Sequence, residues 1–274
     1  MPKTLTFPAP GIDILDAIAP PPREPHPKTS HYASGIEGCP RKDYYRWLGI
    51  PETNPASDIS RGKMQAGNDA HDLFAMKLGR VFPEVETEIP VEIIDDCLTY
   101  PIHGRLDALF YDENGERYVV EYKSTQLTST TKALEAPRFG HLMQLWTYMQ
   151  AEGPEAHYYL VYEDRGSKLG VEYEVAEIDG QLYYRRGSLW TPVKASWDAV
   201  IAKLAMIERA VGDEEPPGRV DPLTGEEFVA YLSKDGTKIQ QTKTVNGEVS
   251  RTHWMCMGYC AYRDHCWLGG NDGD

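Results

Sequence analysis

The chain has 274 residues, 41% of them apolar and 11% aromatic, enough to bury one substantial core with at most a small appended module. A formal charge of −14 excludes a protein that coats nucleic acid through bulk positive charge, so any phosphate contact has to be local. No stretch approaches the roughly 20 apolar residues of a membrane-spanning helix, and the first residues lack the basic start and apolar run of a secretory signal. A cytoplasmic setting is therefore expected, where the five cysteines serve as metal ligands or free thiols rather than disulfides.

Residues 1–29 are proline-rich, with PPPREPHP at 20–27, and read as an extended arm whose apolar anchors are Ile14 and Ile18. Ser34 is a candidate N-cap for a helix that Gly49 ends, although Pro40 can shift the regular part to begin there, with Cys39 at the join. From 58 to 79, Met64, Gly67, His71, Phe74 and Leu78 recur at three- and four-residue steps and predict one helical face. His71 on that face is a satisfied core histidine or a ligand. Residues 84–94 alternate and predict a strand on which Glu84, Glu86 and Glu88 form a solvated acidic face. Cys97 follows as a free thiol.

Residues 103–123, HGRLDALFYDENGERYVVEYK, organise the chain. Apolar and polar residues alternate on both sides of Asp112-Glu113-Asn114-Gly115-Glu116, which predicts a hairpin turned at Asn-Gly. Side chains change face at every strand residue, so Glu121 and Lys123 share one face while Tyr118, Val120 and Tyr122 take the other. Asp107 then lies opposite Glu121 or Tyr122, with cross-strand Cβ atoms about 5 Å apart. Two carboxylates that close repel, and a hard divalent cation such as Mg²⁺ or Mn²⁺ between them removes the penalty. A solvated hairpin with scattered charges is the alternative.

Leu127 to Arg138 is basic and polar, and 141–153 is helical, with Gln144 and Tyr148 sharing a face. Residues 156–164 and 170–179 predict two further strands, and 196–211 a helix broken by DEEPPG at 213–218. Residues 219–253 are polar, with a second Asn-Gly hairpin expected at Asn246 and Gly247. Cys256, Cys260 and Cys266 close the chain with spacing Cys-x3-Cys-x5-Cys, and Cys39 is the available fourth thiol.

Asp107, the hairpin and Glu121-Tyr122-Lys123 resemble the pattern of the PD-(D/E)XK nucleases. Cys39 in CPRKDYY, His71 in GNDAH, Asp107 in GRLDA, Gln144 to Tyr148 as Gln-x3-Tyr and the three closing cysteines extend the resemblance to RecB-like exonucleases with an iron-sulfur cluster, such as CRISPR-associated exonucleases and the AddB nuclease domain. One departure is the first closing pair, spaced by three residues where that family usually has two. The resemblance implies an α/β fold in which a central mixed sheet flanked by helices occupies 30–211. A polar insertion follows at 212–253, and the segment 254–274 joins Cys39 through a 4Fe-4S cluster. Structural zinc is the alternative for the same four thiolates.

It further implies that His71, Asp107, Glu121 and the Tyr122 carbonyl hold Mg²⁺ or Mn²⁺, that Lys123 acts on the attacking water and the phosphate, and that Gln144 and Tyr148 contact substrate. Arg41, Lys42, Lys132 and Arg138 are candidate phosphate contacts, and Tyr44 and Trp146 candidate base-stacking residues. The function expected is a metal-dependent DNA exonuclease acting on single strands from 5′ to 3′ in recombination, repair, or CRISPR or phage DNA processing. A structure-specific endonuclease and a non-catalytic DNA-end-binding subunit are the other readings. No GxxxxGK[ST] loop is present, so unwinding would come from a helicase, recombination or CRISPR partner; homo-oligomerisation stays open.

Overall fold

The computed structural model describes residues 26–126, 132–245 and 248–268. The anchors Ile14 and Ile18, most of the arm, residues 127–131, the Asn246-Gly247 turn and the last six residues lie outside the described residues. The strands of the main sheet are β1 (His31–Tyr32), β2 (Glu86–Ile93), β3 (Ile102–Tyr111), β4 (Arg117–Thr125), β5 (His157–Asp164), β6 (Gly170–Ile178), β7 (Gln181–Arg185) and β8 (Trp190–Pro192). Helices are α1 (Pro40–Trp47), α2 (Asp58–Gly79), α3 (Phe139–Glu152), α4 (Trp197–Asp213) and α5 (Arg263–Trp267).

The alternating stretch forms the expected hairpin, paired from Tyr111 with Arg117 to Ala108 with Val120. Asp112 closes the turn: its Oδ1 accepts from the backbone N–H groups of Asn114 and Glu116, each at 2.9 Å, and Gly115 takes φ 80°. Beyond Ala108 the two strands part. β4 runs on in parallel beside β5 to Thr125, whereas β3 continues antiparallel to β2 as far as Ile102. β1 joins the opened edge of β3 only at Ile102 and His103, in parallel. Among the described residues, β3 from Gly104 to Asp107 therefore has no strand neighbour on that edge, and the fork between β3 and β4 opens into a cleft. The sheet runs β1-β3-β4-β5-β6-β7-β8 with β2 on the other side of β3, a mixed α/β arrangement flanked by helices.

Alternation sorts the side chains onto two faces. Leu109, Val119, Leu160 and Tyr173 pack with Leu142, Leu145 and Trp146 of α3 and with Val200 and Leu204 of α4. Ala108, Phe110 and Val120 pack on the other face with Phe74 and Leu78 of α2. α2 spans the predicted residues and is capped by Ser57, whose side chain accepts from the Ser60 N–H at 3.3 Å. Met64 departs from the expected inward stripe and is 58% exposed. Ser34 is not the N-cap of α1; it lies in a 3₁₀ turn, Ala33–Gly35, and the helix starts at Pro40 with Cys39 as its cap. A proline ring clashes with the preceding helical turn and is accommodated only in the first one.

Residues 219–253, assigned no role from sequence, complete a second small core. They carry two short hairpins, β9 (Tyr231–Leu232) with β10 (Ile239–Gln240) and β11 (Thr242–Val245) with β12 (Glu248–Arg251). Phe228 is buried against Cys256 together with Cys39, Met255 and Trp267. Lys203 of α4 ties this segment to the chain before α1: its ammonium donates to the carbonyls of Ile36 and Gly38 at 2.7 and 2.9 Å and to Asp221 Oδ1 at 2.9 Å.

Candidate active site

The fork in the sheet places the hairpin carboxylates. Asp107 stands where β3 loses its neighbour, and its Oδ2 accepts from the Tyr122 backbone N–H at 2.7 Å, bridging the gap between the strands. N–H and C=O of an extended residue point to the same side, so the Tyr122 carbonyl also faces the cleft. Its ring points the other way, stacked on Phe74 with centroids 4.2 Å apart and edge-on to His71 at 5.2 Å. Its hydroxyl donates to Glu163 at 2.7 Å. Those contacts hold His71 at the cleft, with Nδ1 3.1 Å from Asp107 Oδ1. Burial pulls the His71 imidazole down, but the Asp107 carboxylate outweighs it and leaves its pKa raised.

Glu121 and Lys123, on the opposite face of β4 from Tyr122, meet α3. Lys123 Nζ lies 2.5 Å from Glu121 Oε1 and donates to Gln144 Oε1 at 2.8 Å. Gln144 in turn donates from Nε2 to the Tyr148 hydroxyl at 2.8 Å, the one-turn spacing of a helix making this link. Burial pushes the Glu121 carboxyl up, against the pull of the Lys123 ammonium, to about 7. Glu121 is 1% exposed, and its second oxygen, Oε2, is buried with no hydrogen-bond partner. A buried acceptor left without a donor is costly, and a cation supplies what it lacks.

These side chains line one cleft of about 740 Å³, together with Glu88, His103, Gly104 and Arg105. Donor atoms of His71, Glu88 and Asp107 lie within 4.8 Å of one another, the one such group of three among the described residues. An imidazole and carboxylates suit Mg²⁺ or Mn²⁺. Glu84, Glu86 and Glu88 are exposed, as the alternation predicts, and Glu88 also borders the cleft. Thr87 pairs with Ala108 and Ile89 with Leu106, which sets Glu88 opposite Asp107. That register follows from strand pairing and leaves no trace in the local sequence. Gly104 is likewise required by its surroundings: a Cβ there would collide with the Tyr148 ring and come within 3.1 Å of Val91.

The four predicted cluster cysteines converge at the other end of the molecule. Cys39, Cys256, Cys260 and Cys266 line one pocket with Lys42, Arg219, Phe228 and Trp267. Burial raises the Cys39 thiol to about 11 and the Cys256 thiol to about 12. Arg219 stacks over Trp267 at 4.1 Å and donates to the Cys266 carbonyl at 3.2 Å. Cys97 is exposed and apart from them.

The expected nucleic-acid contacts divide. Trp146 is fully buried, its indole N–H donating to Glu177 at 2.6 Å, and Tyr44 is 4% exposed in the packing of α1 against the C-terminal segment. Neither ring can stack on a base, because each supplies core surface instead. Arg41 is buried and donates from Nε to the Pro217 carbonyl at 3.0 Å, which removes it from a phosphate site. Lys42 borders the cysteine pocket, and Lys132 and Arg138 are exposed.

No curated protein matches the chain significantly. A solved structure, that of SSO0001, is 21% identical over 69% of this chain and 78% of its own, with a TM-score of 0.44. Among the described residues, no helix is long and apolar enough to cross a membrane. The PD-(D/E)XK nuclease superfamily matches residues 50–267, well over half of the chain and all of the cleft residues except the Ala33 and Ser34 turn and Tyr32. Such enzymes hydrolyse phosphodiester bonds with divalent metal ions such as Mg²⁺ or Mn²⁺. With its mixed sheet, its forked hairpin and its acid-and-lysine cleft, this chain belongs to the PD-(D/E)XK nuclease superfamily.

Proposed function

We propose that the chain is a metal-dependent DNA exonuclease, digesting single strands from the 5′ end in recombination, repair, or CRISPR or phage DNA processing, with Asp107, Glu121 and Lys123 as its catalytic residues. The observation that carries the site is Glu121 Oε2, buried and without a donor, on a residue that lines the same cleft as Asp107 and His71. His71, Asp107, Glu121 and the Tyr122 carbonyl are the groups that would hold Mg²⁺ or Mn²⁺. The ion, when bound, activates water for attack and neutralises charge on the phosphate.

The chain's own residues supply the rest. The Asp107 carboxylate is held in the fork by the Tyr122 N–H. Lys123, fixed between Glu121 and Gln144, presents a compact cation to the phosphate oxygens as charge builds on them. Gln144 and Tyr148 position Lys123, which accounts for a Gln-x3-Tyr pair on a helix beside the site. Lys132 and Arg138 remain the candidates for phosphate contacts along the substrate. The 5′ polarity and the preference for single strands rest on the motif resemblance.

The four-cysteine pocket is read as the seat of a 4Fe-4S cluster joining Cys39 to the C-terminal segment. The choice of a cluster over zinc rests on the motif resemblance. The apolar walls of Phe228 and Trp267 suit a shielded cluster.

Anaerobic purification with visible absorbance and iron and zinc analysis, followed by digestion of end-labelled single-stranded DNA in Mn²⁺ and in EDTA, tests this reading. Iron with a cluster absorbance, and release from the 5′ label only with Mn²⁺, are expected. Asp107→Ala and Lys123→Ala should each lower the cleavage rate by about a thousandfold or more while retaining the fold. Full cleavage by both variants would remove the assignment of the site, and a zinc protein would remove the cluster.

A further inference from the structure

Glu88 is placed at backbone cost. Its φ is 57°, a left-handed conformation uncommon for a residue other than glycine, asparagine or aspartate, and it falls within a strand. Ladder pairs flank it on both sides, Thr87 with Ala108 and Ile89 with Leu106, so the twist is local to the position opposite Asp107. Its carboxylate makes an ion pair with Arg105 Nε, two residues from Asp107 on the same face of β3. The same carboxylate lies within 4.8 Å of the donor atoms of His71 and Asp107. Independent of that cluster, Glu121, whose Oε2 is buried without a partner, lines the same cleft.

We propose that Glu88 is a further ligand of the divalent-metal site, and that its ion pair with Arg105 belongs to the metal-free protein. When the carboxylate turns to the cation, Arg105 loses its partner and becomes free to take a phosphate of the nucleic acid. One carboxylate thus couples metal loading to substrate binding. Arg105 is suited to phosphate capture, because its side chain is 68% exposed at the rim of the cleft and a guanidinium matches phosphate bidentately. The proposal rests on the metal-dependent nuclease reading and adds to it a ligand and a phosphate contact.

The test measures Mn²⁺ binding by calorimetry on the full chain, with wild type, Glu88→Gln, Glu88→Asn, Arg105→Ala and Asp107→Asn, and single-stranded DNA affinity in Ca²⁺. Glu88→Gln should weaken Mn²⁺ about ten- to a hundredfold. Glu88→Asn, better tolerated at positive φ, should do the same while its metal-free melting temperature equals or exceeds that of wild type. Arg105→Ala should bind Mn²⁺ more tightly than wild type, having lost the competitor, yet bind DNA more weakly. Equal Mn²⁺ affinity of wild type and both Glu88 variants, with Asp107→Asn impaired, overturns Glu88 as a ligand and leaves the nuclease reading standing. Arg105→Ala binding Mn²⁺ no more tightly overturns the coupling. Wild type that binds no Mn²⁺ overturns both the proposal and the metal-dependent reading.

Discussion

Polar side chains of the cleft are held in place by their neighbours. Tyr122 sets the ring of His71, Gln144 sets Lys123, and Gly104 leaves room for the Tyr148 ring behind Gln144. A glycine therefore controls a lysine three contacts away. Gly104→Ala is expected to destabilise the fold by about 1–3 kcal/mol, the range for overpacking a filled core. It should also lower cleavage more than that loss of stability explains, because the Tyr148–Gln144–Lys123 line is displaced. Urea unfolding and cleavage rates on the same preparation check both. Asp107, Glu121, Lys123 and the Gln144–Tyr148 pair were legible in sequence because hairpin alternation and the helical step are local rules. Glu88 and Gly104 were not, since each owes its place to a partner on another element.

At the scale of elements, the cleft exists because β3 and β4 separate after four paired residues, and α3 fills the face behind them. His141, in the first turn of α3, shows how tightly that helix sits. Its Nδ1 is 3.0 Å from the Tyr162 hydroxyl, whose oxygen accepts from the Arg138 N–H at 3.0 Å. The hydroxyl proton therefore goes to a neutral imidazole. Burial, reinforced by Lys123 and Arg138, lowers the His141 pKa to about 3. With the folded value below the ordinary 6.5, the unfolded chain binds the extra proton, so this contribution is full above pH 6.5 and is lost as pH falls toward 3. Stability should drop by about 2 kcal/mol from pH 7 to pH 5 on this account. His141→Gln, which keeps an acceptor but cannot charge, should flatten that dependence in urea unfolding at the two pH values.

Across the whole molecule, the segment around Cys39 meets that from Cys256 to Cys266 at the cysteine pocket, and Lys203 with Asp221 ties the chain before α1 to residue 221 beside it. Both side chains are almost fully buried, at 1% and 2% exposed, so breaking the pair leaves an uncompensated charge. Asp221→Ala is expected to cost about 3–5 kcal/mol. The double variant Lys203→Met with Asp221→Leu should cost less, because neither charge is then left buried alone. Denaturant midpoints of the single and double variants distinguish this from a loss of packing. Within the polar stretch that begins at residue 219, Asp221 belongs to this interior contact, and Phe228 is buried against Cys256 in the neighbouring pocket.

Sequence alone determined the hairpin turned at Asn114-Gly115, the span of α2 and the strands on either side of residue 165, because period and turn chemistry are carried by neighbouring residues. It misjudged Trp146, Tyr44 and Arg41, whose residue types suit nucleic acid but whose surroundings bury them. Tertiary structure decided those, and it decided the fork. Which strand lies beside which, and where a ladder stops, depends on contacts between distant segments. Those contacts set the exposed Glu88 opposite Asp107 and leave Glu121 Oε2 buried without a partner.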